Sequence, residues 1–309
     1  MSDIVISEFI DEAAIAEAFA GRDVLYDPDL LDKPEELAAA LADCRALLVR
    51  NLTQVRGALL EVAPRLKVVG RLGVGLDNID LEACAARGIA VKPATGANDL
   101  SVAEYVITAA MMLLRQAWLA SDRVIAGDWP RMAMVGRELA GKRLGLIGFG
   151  AIARLTAARA RALGMEAAAY DPFLPEGDPA WAGAERLDLS SLLATSDVIS
   201  LHTPLTPQTR RMIDGRALGL MKAEAILINA ARGGVVDETA LCEALKAGRL
   251  GGVALDVFET EPVTAASGAV FQNVPNLILT PHIAGVTDES NVRVSAVTAR
   301  AVVEVLDGR

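Results

Sequence analysis

The sequence predicts an α/β protein made of two lobes, each built around a parallel sheet. Short apolar runs alternate with amphipathic segments along most of the 309-residue chain. Runs this short indicate buried strands rather than helices, and their alternation with helices predicts right-handed βαβ units. A chain of this length also favours two domains, at roughly 150 residues each.

The first part of the chain alternates strands and helices. Buried strands are predicted at residues 3–6, 46–49, 66–69 and 89–91. Helices are predicted at residues 33–42 and 81–87, and Gly88 ends the second because glycine often terminates helices. A long apolar helix is predicted from Leu100 to Ser121. Since it is apolar on several faces, it must be covered, either in the core or at a subunit interface.

The second part continues the alternation. A strand at residues 143–147, a helix at 151–163 and a strand at 165–170 form a compact unit. Further strands are predicted at residues 198–201, 225–229, 252–256 and 277–279, and a last helix at 289–306.

Composition excludes several classes of function. Thirty basic against 40 acidic residues give a net charge of −10, the wrong sign for a protein that neutralises phosphates. Three cysteines without paired spacing and only two histidines indicate neither a disulfide framework nor a metal centre. The first residues lack a signal peptide, and the most apolar stretch is too short to span a bilayer. We therefore expect a cytoplasmic protein with no nucleic-acid, membrane or metal partner.

Gly148, Gly150 and Ala153 lie between a predicted strand and a predicted helix, as in a dinucleotide-binding turn. Gly148 permits a sharp turn, Gly150 lets a pyrophosphate approach the backbone, and Ala153 allows close helix–strand packing. Asp171 follows the next strand and suits ribose hydroxyls, while it would repel a 2′-phosphate. NAD is therefore favoured over NADP, the alternative being an ordinary βαβ turn with a surface aspartate.

Arg232, Glu261 and His282 each follow a predicted strand, where α/β sheets place their ligands. A histidine can move a hydroxyl proton, and a neighbouring carboxylate favours its imidazolium form. A bidentate arginine can hold a substrate carboxylate. Taken singly, each residue also fits an ordinary role, a histidine in packing or capping and an arginine in solvent.

The sequence resembles the D-isomer-specific 2-hydroxyacid dehydrogenases, in their phosphoglycerate dehydrogenase-like branch. The motifs behind this resemblance span nearly the whole chain: RLGVGLDNID from Arg71, NDLSVAE from Asn98, GFGAI from Gly148, HTPLT from His202, NAARGGVVDE from Asn229, LDVFETEP from Leu255 and PHIAG from Pro281.

The resemblance implies a cofactor lobe inserted into a substrate lobe, with the last helix returning to the substrate lobe. We expect a substrate-binding domain of residues 1–98 and 284–309 and an NAD-binding Rossmann domain of residues 99–283. The resemblance also implies a homodimer joined through the helix from Leu100 to Ser121. Because the chain ends at Arg309, we expect no C-terminal regulatory domain.

The resemblance assigns Arg232 as carboxylate anchor, His282 as acid/base and Glu261 as its partner. Backbone N–H groups of Gly73 to Gly75 would bind the substrate carboxylate. The candidate cofactor-binding residues are Gly148, Phe149, Gly150, Ala151, Ile152, Asp171, His202, Thr203, Pro204, Thr209, Ala230, Ala231, Arg232, Asp256 and His282. The candidate substrate-binding residues are Arg50, Arg71, Gly73, Val74, Gly75, Asn98, Arg232 and His282. A packing or capping role for His202 is an equal alternative, and Tyr105 departs from the histidine common in relatives.

Arg50 and Arg71 end predicted strands, at places where phosphoglycerate dehydrogenases bind the second anionic group of their substrate. We therefore expect a substrate such as 3-phosphoglycerate or 3-sulfolactate, with Arg131 or Arg137 of a partner subunit assisting. Salt bridges between the lobes are the alternative role for Arg50 and Arg71. The alternative activities are a hydroxypyruvate/glyoxylate-type reductase, a phosphite dehydrogenase and an NAD(H)-sensing corepressor-like protein. Formate is disfavoured, because formate enzymes of this type have glutamine where Glu261 stands.

Overall fold

The computed structural model describes residues 2–116, 118 and 120–309. The chain divides into two compact units, a first of Met1–Asn98 with Val286–Arg309 and a second of Asp99–Gly285.

The strands are β1 Ile4–Ile6, β2 Val24–Tyr26, β3 Ala46–Val49, β4 Val68–Arg71, β5 Ala90–Pro93, β6 Arg143–Ile147, β7 Glu166–Tyr170, β8 Glu185–Arg186, β9 Val198–Leu201, β10 Ile226–Asn229, β11 Gly252–Leu255 and β12 Leu277–Leu279. The α-helices are α1 Glu12–Ala18, α2 Pro34–Leu41, α3 Ala58–Glu61, α4 Leu81–Ala86, α5 Asp99–Arg115, α6 Ser121–Ile125, α7 Ala151–Ala162, α8 Leu189–Thr195, α9 Gly215–Leu220, α10 Glu238–Lys246 and α11 Asp288–Leu306.

The first unit contains a parallel sheet in the order β2-β1-β3-β4-β5, the flavodoxin-like arrangement. Helix α11 packs against β4 at Gly70, where a Cβ would lie 2.7 Å from Cγ2 of Val302. Glycine at this position therefore permits the close approach of helix and strand. Strand β4 begins two residues later than predicted, and β2 was not predicted.

The second unit contains a seven-stranded parallel sheet in the order β12-β11-β10-β9-β6-β7-β8. Counted from β6, this is the Rossmann order with one further strand at the end. Strand β6 pairs with β7 on one side and with β9 on the other, so the strand order reverses at β6. In doubly wound sheets, ligands bind beyond the carboxyl ends of the strands at this reversal.

The long helix predicted from Leu100 to Ser121 is shorter in the structure. Helix α5 ends at Arg115, because Gln116 has a positive φ of 50° that breaks the helical path. Residues 117 and 119 of the predicted helix lie outside the described residues, and α6 begins at Ser121. Several apolar side chains of α5, Val106 and Leu113 among them, are buried in a core that includes Ala153 and Ala157 of α7. This face is therefore covered within the second unit itself.

Candidate active site

The turn between β6 and α7 has the geometry of a dinucleotide-binding turn. Gly148 has a φ of +87°, and a Cβ there would lie 2.6 Å from the backbone oxygen of His202, so no other residue fits without strain. A Cβ at Gly150, the N-cap of α7, would meet nothing within 4 Å. The first turn of α7 carries no acidic side chain, and Ala153 is fully buried. The helix N-terminus therefore offers open N–H groups to an anion.

The carboxylate of Asp171 ties the end of β7 to this turn. Its Oδ2 accepts a hydrogen bond from Phe149 N at 2.9 Å, and Oδ1 accepts one from Phe173 N at 2.9 Å. Each carboxylate oxygen retains a further lone pair, so these bonds leave acceptor capacity for hydroxyl groups of a ligand.

His202 and Thr203 follow β9. The Nε2 atom of His202 lies 3.0 Å from Ser200 Oγ, and burial lowers the pKa of His202 to about 4, so the ring is neutral near pH 7. The Oγ1 atom of Thr203 is buried and has no hydrogen-bond partner among the described residues. Buried hydroxyls are normally paired, so this one is suited to a polar ligand. Thr209 Oγ1 instead donates to Pro204 O at 2.6 Å, and both residues belong to one turn.

Asn229 shapes the loop that carries Ala230, Ala231 and Arg232. Its side chain is buried, its Oδ1 accepts from Ala231 N at 3.1 Å, and its Nδ2 donates to Arg232 O at 2.9 Å. Arg232 Nη1 donates to Ala231 O at 2.6 Å. Asn229 was not predicted as a site residue, although a polar side chain at the end of a buried strand was a usable signal.

Glu261 and His282 form a direct pair. His282 Nδ1 lies 2.7 Å from Glu261 Oε2, and Glu261 Oε1 accepts from Phe258 N at 2.9 Å. Burial raises the pKa of Glu261, but the bonds from His282 and Phe258 and the nearby Arg232 outweigh burial, so its pKa lies below the ordinary value. With 44% of the His282 side chain exposed, the ring is accessible. Of the three residues predicted to be catalytic, Glu261 and His282 are in direct contact, and Arg232 is near enough to influence the charge of Glu261.

Asp256 is buried after β11 and accepts three hydrogen bonds. The donors are Thr280 Oγ1 at 2.6 Å, Ile283 N at 2.8 Å and Ala284 N at 2.7 Å. Burial raises the pKa of Asp256, while these bonds act in the opposite direction. The resemblance implied a contact with the cofactor, and the structure shows that Asp256 also anchors the segment containing His282.

Glu238, which sequence reasoning did not single out, supports the loop that contains Glu261. Its Oε1 accepts from Glu259 N at 2.6 Å. Burial raises the pKa of Glu238, and the neighbouring Glu259 and Glu261 add to that effect. Its place in the NAARGGVVDE motif was the available signal.

In the first unit, Arg50 is half-buried and held from several sides. Its Nη2 donates to Asn291 Oδ1 at 2.7 Å, and its guanidinium carbon lies 5.1 Å from the centre of the Phe9 ring. The buried Glu8 accepts from Arg50 N at 2.9 Å and from Thr53 N at 3.0 Å, which fixes the loop after β3. Burial lowers the pKa of Arg50, with Glu8 acting in the opposite direction.

Arg71 lies over the glycine loop that follows β4. A Cβ at Gly73 would lie 1.9 Å from Arg71 Nη1, so another residue there would displace the guanidinium, and the φ of +149° also favours glycine. The N–H of Gly73 donates to Arg71 O at 2.8 Å within this loop. Val74 and Gly75 follow in the same loop. Asn98 Oδ1 is buried without a hydrogen-bond partner in the part of the chain that the structure describes.

Arg137, one of two arginines expected to assist from a partner subunit, is already engaged within its own unit. Its Nη1 lies 3.2 Å from Glu224 Oε2, and its Nη2 donates to Glu224 O at 2.8 Å. Arg131 is exposed. Over residues 2–116, 118 and 120–309, no group of three potential metal ligands is present. Within the same residues, no helix is long and apolar enough to span a membrane.

A glycine turn leading into an open helix N-terminus, and a histidine paired with a carboxylate in the same unit, define a dinucleotide-dependent dehydrogenase. Residues 107–284 match the family described as D-isomer specific 2-hydroxyacid dehydrogenase, NAD binding domain. The chain belongs to this family, which confirms the resemblance, and it is an NAD-dependent oxidoreductase of 2-hydroxy acids.

Two curated relatives are informative. The chain is 54% identical over 299 residues to the (S)-sulfolactate dehydrogenase of Chromohalobacter salexigens. The aligned region covers 96% of each protein. It is 40% identical over 274 residues to the D-3-phosphoglycerate dehydrogenase of Archaeoglobus fulgidus, covering 89% of this chain and 52% of that enzyme. The chain therefore spans about half the length of that phosphoglycerate dehydrogenase.

A solved structure shows the same fold. The D-lactate dehydrogenase from Aquifex aeolicus, crystallised with NAD and lactic acid, superposes with a TM-score of 0.87 at 32% identity. The superposition covers 99% of this chain and 96% of that one. The predicted α/β class with two parallel-sheet lobes is confirmed.

Proposed function

We propose that the chain oxidises the C2 hydroxyl of a 2-hydroxy acid that carries a second anionic group, with 3-sulfolactate as the first candidate and 3-phosphoglycerate as the second. The observation that carries this proposal is the 54% identity, over nearly the whole chain, with an (S)-sulfolactate dehydrogenase. Domain roles follow: the first unit binds the substrate's second anion, and the second unit binds NAD.

Arg50 and Arg71 support a substrate with two anionic ends. Arg50 is half-buried, and it already has Asn291 and Phe9 as uncharged partners. A half-buried guanidinium gains most from a fully charged partner, and a sulfonate or phosphate presents several acceptor oxygens to such a donor. The N–H groups of Val74 and Gly75, together with Asn98, complete the polar groups that the first unit offers.

The second unit fits NAD. Open space beside Gly150 at the N-terminus of α7 suits a pyrophosphate, and Asp171 retains acceptor capacity for ribose hydroxyls. The unpaired, buried hydroxyl of Thr203 is a further polar contact for the cofactor. Further proposed cofactor contacts are His202, Pro204, Asp256, Ala230 and Ala231. Thr209 is proposed to support the turn that contains Pro204.

The chemistry is carried by three side chains of the second unit. Arg232 holds the substrate carboxylate by paired hydrogen bonds. His282 uses Nδ1 to bind Glu261, so Nε2 is the atom that accepts the proton of the substrate hydroxyl. The C2 hydrogen leaves with its electron pair as the carbonyl forms, and NAD, when bound, supplies the acceptor of this hydride. Glu261 stabilises the imidazolium that results.

We also propose a cytoplasmic homodimer. Five apolar side chains of the segment 121–137 are exposed, among them Ile125 at 84%, Trp129 at 79% and Met132 at 82%, with Val124 and Val135 beside them in sequence. Large apolar side chains exposed in one segment are typical of a subunit interface. The buried, unpaired cysteines Cys44, Cys84 and Cys242 fit a reducing compartment.

The test is NADH formation by purified protein with a panel of acids. The panel contains both enantiomers of 3-sulfolactate, 3-phosphoglycerate, glycerate, lactate and phosphite, and glyoxylate-type acids are tested in the reverse direction by NADH consumption. We expect the highest kcat/KM with a 2-hydroxy acid that carries a second anionic group. Turnover of monoanionic acids alone would contradict the second-anion pocket. Tight NADH binding without turnover of any member would contradict the enzymatic proposal and favour an NAD(H)-sensing protein.

A further inference from the structure

Tyr105 on α5 makes a hydrogen bond that leads to the segment containing His282. Its hydroxyl lies 2.6 Å from Thr280 Oγ1, and Thr280 Oγ1 lies 2.6 Å from Asp256 Oδ1. An ionised carboxylate can only accept hydrogen bonds, so the Thr280 hydroxyl donates to Asp256. Thr280 Oγ1 is then left as an acceptor for the Tyr105 hydroxyl. The direction of both bonds is therefore determined.

Asp256 holds the backbone on the far side of His282 as well. It accepts from Thr280 before the histidine, and from Ile283 N at 2.8 Å and Ala284 N at 2.7 Å after it. His282 itself has a φ of +56°, a backbone conformation that is unfavourable for residues other than glycine. Such a conformation persists only where the surroundings enforce it. The Asp256 carboxylate supplies that restraint from both sides.

We propose that Tyr105 is a positioning residue for the acid/base step. It acts through Thr280 and Asp256 to keep the His282 ring in the orientation in which Nδ1 bonds to Glu261. This inference rests on the proposed function of His282. Tyr105 contributes by satisfying and orienting the Thr280 hydroxyl, so that the hydrogen of Thr280 points at Asp256. The phenyl ring contributes only packing, which Phe would preserve.

The first variant is Tyr105→Phe. Loss of one hydrogen bond in a buried network corresponds to a change of about threefold to tenfold, so we expect kcat to fall by that factor. The KM for NAD is expected to stay within about twofold, because the turn at Gly148 is untouched. The solvent deuterium isotope effect on kcat is expected to rise, because proton transfer through a misaligned His282 becomes more rate-limiting. A purely structural role would not produce that rise.

Thr280 provides the matched pair of variants. Thr280→Val keeps the shape but removes both bonds, and we expect it to lower kcat at least as much as Tyr105→Phe. Thr280→Ser keeps the hydroxyl and is expected to retain kcat within about twofold. The control is Thr156→Val, because Thr156 is a buried threonine of the same unit whose Oγ1 donates within its own helix, to Ile152 O. The control is expected to leave kcat unchanged.

The double variant separates a chain of bonds from two independent effects. Combined with Thr280→Val, the Tyr105→Phe change is expected to cause no further loss, because its acceptor is already gone. Additive losses, or an unchanged kcat in folded Tyr105→Phe protein, would overturn the proposal.

Hydrogen exchange of the peptide covering residues 280–285 measures how firmly this segment is held, and it does not depend on turnover. Tyr105→Phe is expected to increase the exchange rate of this peptide. If wild-type protein turns over no 2-hydroxy acid but Tyr105→Phe still speeds this exchange, the proposed function is wrong and the Tyr105–Thr280–Asp256 network is supported. If Tyr105→Phe leaves the exchange unchanged, the network is rejected.

Discussion

His282 Nδ1 and Glu261 Oε2 lie 2.7 Å apart in the second unit. This contact assigns the two ring nitrogens different tasks, because the nitrogen that donates to Glu261 is not available to substrate. It also defines Glu261 as an orienting residue whose second oxygen is held by the Phe258 N–H. The pair therefore combines a fixed tautomer with a partly exposed imidazole ring.

Replacement of His282 by Gln should lower kcat by about 10²- to 10⁴-fold, because the general base is lost while a polar side chain of similar size is kept. The dissociation constant for NADH should change little, since the dinucleotide turn lies elsewhere in the second unit. Steady-state rates and NADH fluorescence titration measure the two quantities. Equal kcat in the variant would remove His282 from the mechanism.

Glu261 should make protein stability depend on pH. Its folded-state pKa is lowered, so its contribution to stability is present above the ordinary carboxyl value of 4.5 and is lost as the pH falls through the folded value. Glu261→Gln should therefore be less stable than wild type at pH 7, and the difference should shrink below about pH 4. Urea unfolding at both pH values measures it. A difference that does not depend on pH would contradict the assignment.

Gly148 and Gly150 should respond differently to alanine. Gly148→Ala places a Cβ 2.6 Å from His202 O at a positive φ, so it should lower the free energy of unfolding by about 1 to 3 kcal/mol and weaken NADH binding. Gly150→Ala meets no atom within 4 Å and should keep wild-type stability, yet weaken NADH binding because its methyl group lies where a pyrophosphate would approach. Thermal unfolding and NADH titration test the pair. Unchanged NADH affinity in Gly150→Ala would place the pyrophosphate elsewhere.

Arg50 and Arg71 should discriminate between dianionic and monoanionic substrates. Alanine at either position should raise the KM for 3-sulfolactate by about 10- to 100-fold, the value of a charged hydrogen bond, and should affect lactate little. Arg65→Ala, which removes an exposed arginine of the same unit, is the control and should behave as wild type. Equal loss with both substrates would instead indicate a structural role.

Trp129 and Ile125 should report the proposed dimer. A charge in an apolar interface is costly, so Trp129→Glu and Ile125→Glu should shift the protein from dimer to monomer in light scattering. Phe173→Glu, a change at an exposed aromatic residue outside the segment 121–137, should not. A monomeric wild-type protein, or dimeric variants, would argue against this segment as the interface.

Much of the second unit could be predicted because its central strands β9, β10 and β11 are buried along their whole length and read as continuous, mostly apolar runs. Strands β6, β9 and β12 have the predicted bounds. Strand β2 was missed because it is an edge strand of three half-buried residues, which leaves little apolar signal. The end of α5 was misplaced because the apolar pattern continues past Gln116, where the backbone turns.

The sequence by itself determined the α/β class, the glycine turn and the candidate trio Arg232, Glu261 and His282, since those signals depend on residue type, position after a strand and resemblance to family motifs. Only the tertiary structure decided which side chains meet. The Tyr105 hydroxyl contacts Thr280, 175 residues away in the chain, and Asp256 binds the Thr280 hydroxyl before His282 and backbone N–H groups after it. Such contacts depend on the packing of helices and loops at the carboxyl ends of the strands, which sets hydrogen-bond distances between residues that no local pattern connects.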